Sequence, residues 1–267
     1  MFNKYSSRIL NDNVIRHYSS PNLTIATDGK DIKLSVESLL ANAKIDNWKP
    51  SNKTWYQRNY ERNNDYEIYL EDFQYLIDWD TYTFKPLISP YSPNLVKRML
   101  GEVGNIDIIS YGQSSYGYDA RLHEEVYVFT NTNGGEVDPK NFDKDLLVKP
   151  KVWDSDNGRY VVNPPNGFLL GKTMEYFHVP RNVNVTCLGK STYARISVVC
   201  NTTPLEAGWH GTVTLELSNT SNLPVRVYLE EGICQFIFME SEAPCEVSYA
   251  DRKGKYMGQQ DVTLSKV

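Results

Sequence analysis

Beyond residue 101 the chain alternates short apolar runs with clusters of Gly, Pro, Asn and Asp. The runs are rich in β-branched and aromatic residues and the breaks between them are typical turn residues, so each run predicts a strand. The predicted strands are EEVYVFTN (124–131), KVWDS (151–155), GRYVVNP (158–164), GFLLGKT (167–173), VNVTCLG (183–189), ARISVVCN (194–201), GTVTLEL (211–217), PVRVYLE (224–230) and ICQFIFME (233–240). Many short strands with frequent turns predict a mainly β fold, a distorted jelly roll or barrel with few short helices.

The first hundred residues differ from this pattern. Residues 1–25 contain an Asn-Asp pair that can cap a short helix, and we expect an entry element of the barrel domain there. Residues 26–87 crowd Trp, Tyr and Phe among charged and amide side chains, which is too aromatic for a disordered linker. We interpret 26–87 as a folded insertion of unknown role and 88–267 as the barrel domain, within which SPNLVKRMLG (92–101) predicts a short helix ended by Gly101.

Composition narrows the class of protein. The chain has 267 residues with a net charge of −5, which argues against a nucleic-acid-binding surface because such surfaces need clustered Lys and Arg. No apolar run is long enough to span a bilayer, and the start lacks a signal-peptide pattern, so we expect a cytoplasmic protein without a membrane partner. The four widely spaced cysteines are expected to be buried, reduced thiols rather than disulfides.

Zinc-dependent deaminases carry a His-x-Glu or Cys-x-Glu element and a Pro-Cys-x-x-Cys element. His123-Glu124-Glu125 has half of that spacing, but no second thiol follows Pro244-Cys245. Phosphate loops of the Walker or Rossmann type are absent as well, because the glycines near the centre of the chain lie between strands and do not open a helix. The sequence therefore predicts neither a zinc site nor a phosphate loop.

Two features between residues 188 and 224 are candidates for binding or catalysis. Lys190, Ser191, Thr192 and Arg195 place two cations and two hydroxyls within six residues beside a glycine, a set that suits oxyanions. The alternative is an ordinary polar turn that leads into a strand and has no binding role, because such a turn has the same composition. Similarly, the alternation in GTVTLEL puts Glu216 on a polar strand face, where it is either an ordinary solvated residue or, if that face lines a cleft, a general base with a raised pKa.

These residues carry a resemblance to a known family. GKSTYAR (189–195), the Gly-Trp-x-Gly turn (208–211) and Thr214-Leu215-Glu216 resemble the signature of dCTP deaminases within the dUTPase-like superfamily. Supporting matches are SYGQSSYGYDARL (110–122), VDPKNFD (137–143), TMEYFHVPRNV (173–183) and KGKYMGQQ (253–260). The resemblance covers about residues 86–265 and the N-terminal element 9–16.

The resemblance implies a homotrimer of dUTPase-like barrels with active sites at the subunit interfaces. It implies hydrolysis of dCTP to dUTP and ammonia without a catalytic metal, with Mg²⁺ bound through the substrate phosphates and dTTP as a possible feedback inhibitor. Glu216 resembles the general base. Ser191 and Arg195 resemble the residues that orient the attacking water and stabilise the charged intermediate.

The same resemblance implies a set of substrate contacts. Lys190 and Thr192 match phosphate contacts, Glu206 the contact to the sugar 3′-hydroxyl and Trp209 its aromatic neighbour, and the backbone at Thr214 and Leu215 the contact to the pyrimidine edge. A C-terminal lid (246–267) would close over the triphosphate. The full set of predicted binding residues is Lys190, Thr192, Tyr193, Ala194, Thr202, Glu206, Trp209, Thr214, Leu215, Tyr249, Lys255 and Gln259.

The chain departs from the family pattern in the loop 201–206, which is shorter than in better-known members and has Glu206 where many have Asp and Ala207 where many have Pro. Tyr249 aligns only if one residue is dropped before Lys255. Three alternatives stay open: a bifunctional enzyme that also hydrolyses dUTP to dUMP and pyrophosphate, a plain dUTPase, and a nucleotide-binding regulatory protein on the same fold. The intact set of Glu216, Ser191 and Arg195 favours the deaminase.

Overall fold

The computed structural model describes residues 7–9, 19, 22–27, 30–35, 77–78, 83–101, 104–130, 135–241 and 243–266. Strands dominate this part of the chain, and the mainly β prediction is confirmed. The strands are β1 Ser7–Ile9, β2 Asn22–Thr27, β3 Lys30–Ser35, β4 Ile77–Asp78, β5 Thr83–Phe84, β6 Ile88–Ser89, β7 Val96–Gly101, β8 Gly104–Ser114, β9 Gly117–Arg121, β10 Tyr127–Phe129, β11 Leu147–Val148, β12 Tyr160–Asn163, β13 Phe168–His178, β14 Val183–Gly189, β15 Val198–Cys200, β16 Thr203–Leu205, β17 His210–Asn219, β18 Val225–Tyr228 and β19 Gly232–Ser241. The helices described are a 3₁₀ turn, Lys144–Leu146, and one α-helical turn, α1 Ser191–Ala194.

Two antiparallel sheets form the body of the protein. The larger sheet has the order β16-β14-β19-β9-β8-β7, with β1 paired to β19, and the smaller has the order β11-β10-β13-β17-β15, with β6 paired to β13. Three further two-stranded pairs are β12-β18, β2-β3 and β4-β5. Several neighbours in the sheets are distant in sequence, such as β13 with β17 and β14 with β19, so the sheets depend on long-range pairing, as expected of a jelly-roll-like barrel.

The hydrophobic core lies between the two sheets. Phe177 of β13 and Phe236 of β19 are fully buried, and their ring centroids are 4.5 Å apart across the interior. In β17 the buried positions alternate with partly exposed ones, so that Val213, Leu215 and Leu217 face the core. The alternation predicted for this strand is confirmed, and it leaves the polar face of β17 free to build a site.

The predicted helix at 92–101 is wrong. Val96–Gly101 is strand β7, and it forms the edge of the larger sheet by pairing with β8. Lys, Arg, Met and Leu have good helix propensity, but pairing with a neighbouring strand overrides this weak local preference. The Arg98 side chain pairs with Asp107 across the two strands at 2.8 Å.

Two strand predictions also needed correction, and one hairpin was missed. The run 194–201 contributes only Val198–Cys200, because Ala194 ends α1. The run 151–155 forms a single bridge, from Trp153 to Tyr160. The hairpin of β8 and β9 was not predicted at all, because its Ser, Gly and Gln residues hide the apolar alternation that identifies a strand.

The N-terminal parts are described incompletely. Strand β1 pairs with β19, which joins the entry element to the larger sheet. Of the predicted capped helix that follows β1, only Ser19 is described, and it is helical and buried. Most of the predicted insertion 26–87 also lies outside the described residues, so the domain division stays a prediction. Leu87 and Ile88 are fully buried in the core, and the His178 N–H donates to the Leu87 carbonyl oxygen at 3.0 Å.

The cysteines are free thiols. Cys187, Cys200 and Cys234 are buried and Cys245 is half-buried, which confirms the expected burial for the first three. Among the residues that the structure describes, no helix has both the length and the apolar character needed to cross a bilayer.

Candidate active site

The polar face of β17 lines a cavity of about 550 Å³. Thr214 and Glu216 project into it from this strand, and Leu170, which pairs with Glu216 in the neighbouring strand β13, forms part of the floor. The pattern of the sequence left open whether this face meets solvent or a cleft. The structure places it in a cleft.

Glu216 is one of two carboxylates among the described residues that line this cavity, with Glu206. Burial raises its pKa above the ordinary value, while a hydrogen bond from its own backbone and one from the Thr203 side chain oppose that shift. The Thr203 hydroxyl donates to Glu216 Oε2 at 3.5 Å, a long and weak contact. A carboxylate whose pKa is raised by desolvation, with little compensation, is suited to accept a proton near neutral pH.

One wall of the cavity is aromatic. Phe129, Phe142 and Phe168 line it, and the Phe129 ring meets the edges of the other two, with centroids 5.8 Å from Phe142 and 5.0 Å from Phe168. These residues were not predicted as site residues, although Phe142 and Phe168 lie in the runs VDPKNFD and GFLLGKT. The wall gives the cavity an apolar surface, and it limits the access of water to Glu216.

The C-terminal segment closes the cavity from above. The Gln259 side chain donates to the Thr212 carbonyl oxygen at 2.7 Å, and the Thr212 N–H donates to the Gln259 carbonyl oxygen at 2.9 Å. The Thr263 N–H donates to the Thr214 hydroxyl at 3.1 Å, and residues 263–265 line the cavity. The segment therefore packs against the polar face of β17 and lines the same cavity as Glu216 within a single chain.

The predicted sugar-binding residues also contact this segment. Trp209 is buried, and its indole N–H donates to the Tyr256 carbonyl oxygen at 2.9 Å. Glu206 forms an ion pair with Arg252. Both line the same cavity as Glu216 and contact the C-terminal segment.

The lid residues Tyr249 and Lys255 line the cavity as well. The Tyr249 hydroxyl accepts the Tyr256 N–H at 3.1 Å, and the Lys255 ammonium donates to the Lys266 carbonyl oxygen. The cavity thus brings together seven of the predicted residues, which are Glu206, Trp209, Thr214, Glu216, Tyr249, Lys255 and Gln259.

The second group of predicted residues lies on α1 and its flanks. Ser191, Thr192, Ala194 and Arg195 are exposed, and Arg195 donates from its guanidinium to the Ser191 carbonyl oxygen at 3.1 Å. Two neighbouring residues, Lys190 and Tyr193, have side chains that are not exposed to solvent in this way. The Lys190 ammonium pairs with Asp119 at 2.5 Å, with only 10% and 7% of the two side chains exposed.

Tyr193 is 2% exposed, and its hydroxyl accepts the Tyr228 N–H at 2.9 Å. Its side chain therefore fixes α1 to the barrel. The Leu215 side chain faces the core, so that only its backbone can meet a ligand. Thr202 is exposed and does not line the Glu216 cavity, whereas its neighbour Thr203 does.

Ser191 and Arg195 do not line the Glu216 cavity of their own chain. Strand β15 follows α1, and its first residue, Val198, pairs with Asn219. Asn219 lies three residues beyond Glu216 on β17, which is about 10 Å along an extended strand. Within one chain, the predicted base and its predicted partners thus lie at different places on the barrel.

Within the part of the chain that the structure describes, no group of three or more His, Cys, Asp or Glu side chains is arranged to hold a metal ion. The His123 ring instead accepts the Glu125 N–H at 2.9 Å. The prediction of a reaction without a catalytic metal rests on the sequence motifs and stays a prediction.

Comparisons with known proteins give one consistent result. A family model described as dCTP deaminase-like matches residues 93–241. A dCTP deaminase of Laribacter hongkongensis is 54% identical over 178 residues, which cover 67% of this chain and 89% of that protein. A dCTP deaminase of Azotobacter vinelandii is 52% identical over 180 residues, with coverages of 67% and 90%. Among solved structures, a 2′-deoxycytidine 5′-triphosphate deaminase from Agrobacterium tumefaciens aligns with a TM-score of 0.37 and 16% identity, covering 48% of this chain and 40% of that one.

Proposed function

Because this chain belongs to the dCTP deaminase family, we propose that it hydrolyses dCTP to dUTP and ammonia, with Glu216 as the general base. The observation that carries this assignment is the position of Glu216, a carboxylate of raised pKa inside a largely apolar cavity closed by the C-terminal segment. The substrate, dCTP, is inferred from sequence similarity to the dCTP deaminases. The cavity supplies the chemical group that the reaction needs.

The proposed reaction adds one water to C4 of the cytosine ring. Glu216 takes a proton from the water as its oxygen bonds to C4, and passes that proton to the ring nitrogen N3, giving a tetrahedral intermediate. The second proton of the water reaches the amino group through Glu216, the C4–N bond breaks, and ammonia leaves. Each proton transfer has Glu216 as its donor or acceptor, so its pKa must lie near the working pH.

Ser191 and Arg195 are proposed to orient the water and stabilise the intermediate from a neighbouring copy of the chain. Ile196 and Val199 lie beside them, and each is 47% exposed. Exposed apolar residues next to polar groups are typical of a contact surface. A homotrimer whose interfaces bring α1 of one copy to the Glu216 cavity of the next accounts for both the apolar exposure and the incomplete site.

Substrate contacts follow from the same arrangement. Lys255 and Gln259 of the lid, with Lys190 and Thr192 of the neighbouring copy, are proposed to bind the triphosphate, which enters as its Mg²⁺ complex. Glu206 and Trp209 are proposed to meet the sugar, the backbone at Thr214 and Leu215 the pyrimidine edge, and Tyr249 the lid side of the phosphates. Ion pairs such as Lys190 with Asp119 must exchange partners when the substrate binds.

The cytoplasmic location expected from the sequence is also part of the proposal. It is supported by the buried free thiols of Cys187, Cys200 and Cys234, because reduced cysteines are typical of that compartment. Inhibition by dTTP is proposed to occur through competition for the same cavity, since a thymine ring has the size of cytosine but no 4-amino group to release.

One assay tests the proposed reaction. Purified protein is incubated with Mg²⁺ and, separately, with dCTP, dCMP and dUTP, and the products are separated and ammonia is measured. We expect equal amounts of dUTP and ammonia from dCTP and no product from dUTP. Absence of ammonia from dCTP would overturn the proposal, while dUMP and pyrophosphate from dCTP would replace it with the bifunctional reaction.

A further inference from the structure

Lys172 is a charged residue in the interior of the barrel domain. It lies on β13 opposite Thr214 of β17 and is only 7% exposed. A buried ammonium needs a compensating charge and hydrogen-bond acceptors, because desolvation disfavours the charged form. Its carboxylate partner is Glu125, in the segment before β10, with Lys172 Nζ 2.7 Å from Glu125 Oε2.

The remaining contacts of this ion pair go to the C-terminal segment. Lys172 Nζ donates to the Gln260 carbonyl oxygen at 2.6 Å and lies 3.2 Å from Asp261 Oδ1. The other oxygen of Glu125 accepts the Val262 N–H at 3.2 Å. Three consecutive residues of the lid are thus held by two side chains of the barrel.

Burial by itself would lower the pKa of Lys172, but the hydrogen bonds and charges of Glu125 and Asp261 raise it above the ordinary value. The ammonium therefore stays charged across the physiological range.

We propose that Lys172 and Glu125 are a positioning pair that fixes residues 260–262 of the lid and thereby holds Gln259 and Thr263 over the Glu216 cavity. The proposal builds on the assigned function, since the lid is taken to bind the triphosphate. Gln259 and Thr263 flank the fixed residues, and both form their hydrogen bonds to β17. If the ion pair only stabilised the barrel, its remaining hydrogen bonds would be expected to go to other barrel residues and not to this segment.

The chain offers a matched control beside Glu125. Glu124 is the adjacent residue, and its carboxylate pairs with Arg159 at 3.1 Å, with both side chains about half exposed. Glu124→Gln and Glu125→Gln make the same chemical change one residue apart. Only the second removes a carboxylate that binds Lys172 and the lid.

Hydrogen exchange of residues 256–265 and steady-state kinetics with dCTP test the proposal together. We expect Glu125→Gln to speed amide exchange in that segment at least tenfold and to raise KM for dCTP about tenfold with a much smaller change in kcat. Glu124→Gln should change neither. Lys172→Met should act like Glu125→Gln, and Lys172→Arg should restore much of the protection, because the cation is kept.

The smaller change Asp261→Asn tests the same contact if Lys172→Met does not fold, because Asp261 is exposed. It should speed exchange in residues 256–265 by a smaller factor. Unchanged exchange in that segment for Glu125→Gln, or an equal increase in β10, β13 and the lid, would overturn the positioning role. If the wild-type protein releases no ammonia from dCTP, the proposed function fails, while the exchange measurements still decide the positioning role.

Discussion

The cavity around Glu216 and the exposed turn around α1 carry the two halves of the proposed site, and they differ in almost every physical respect. The cavity is apolar on one side, covered by the C-terminal segment and complete within one chain. The turn presents Ser191, Thr192 and Arg195 to solvent. One region holds a carboxylate partly away from water, and the other exposes its hydrogen-bond donors to solvent.

This difference indicates that the two regions have different roles, proton transfer in the cavity and binding of negative charge at the turn. Desolvation raises the pKa of Glu216, which suits a base, but desolvation does not by itself bind negative charge. The guanidinium and hydroxyls of the turn bind negative charge but cannot take up a proton near neutral pH. The two functions need opposite environments, and the proposed contact between copies of the chain would bring both to one point.

The largest expected effect on activity comes from a substitution in the cavity. Glu216→Gln should lower kcat for dCTP by about 10³-fold or more, since it removes the group that transfers every proton. The amide has nearly the same shape, so the dissociation constant for dCTP, measured by calorimetry, should change only a few-fold. Loss of nucleotide binding in this variant would instead indicate a structural role for the carboxylate.

On the turn, Arg195→Ala and Ser191→Ala should each lower kcat/KM by about 10²-fold, the usual cost of removing one preorganised donor. Arg226→Ala is the control, because Arg226 is an exposed arginine that stacks on Tyr160 of the neighbouring strand. It should leave the kinetics unchanged. Equal effects of Arg195→Ala and Arg226→Ala would mean that only overall charge matters.

The contact between the two regions can be weakened separately. Ile196→Glu places a charge on the exposed apolar surface beside Arg195 and should lower both self-association and activity, by about tenfold at micromolar protein concentration. Leu100→Glu, at an even more exposed apolar position on β7, should do neither. Sedimentation and activity measured over a range of protein concentrations would check this. A fully active monomeric Ile196→Glu variant would contradict the interface.

The acid side of the pH profile sharpens the comparison further. A base must be ionised, so kcat/KM should fall about tenfold per pH unit below the pKa of Glu216. Because burial raises that pKa, the midpoint should lie above the ordinary value of a glutamate. A midpoint at or below the ordinary value would mean that Glu216 is not the group observed.

The smallest effect concerns Thr203, whose hydroxyl stabilises the ionised form of Glu216. Thr203→Val removes that hydrogen bond and should raise the pKa further, which moves the acid limb to higher pH. The contact is long, so the shift should be less than about one pH unit. A shift to lower pH would contradict the proposed direction.

From the sequence alone, the reaction class was easier to predict than the three-dimensional arrangement of the site. Strand alternation placed Glu216 on the polar face of β17, and the motifs placed Gln259 and Lys255 in the lid. Alternation carries no information on whether a face is covered, and covering depends on contacts between distant segments. For that reason Thr203 was missed, although it lies beside a predicted residue, and so were Phe129, Phe142, Phe168, Glu125 and Lys172.

The errors in the fold have a related cause. Val96–Gly101 was predicted as a helix because local preference was the only information available there, and the partner strand β8 was itself not recognised. The separation of Ser191 and Arg195 from Glu216 is of the same kind. Motif order along a chain does not reveal which residues meet across a contact between two chains.

A mixing experiment tests the central claim, that each site combines Glu216 of one chain with Ser191 and Arg195 of another. The variants Glu216→Gln and Arg195→Ala are co-expressed with different tags, and oligomers that contain both are compared with each variant alone in the dCTP assay. If sites are shared, every mixed trimer has one intact site of its three, so that about a third of the wild-type activity returns. If both residues act within one chain, no intact site can form, and a mixture as inactive as the two separate variants would contradict the account.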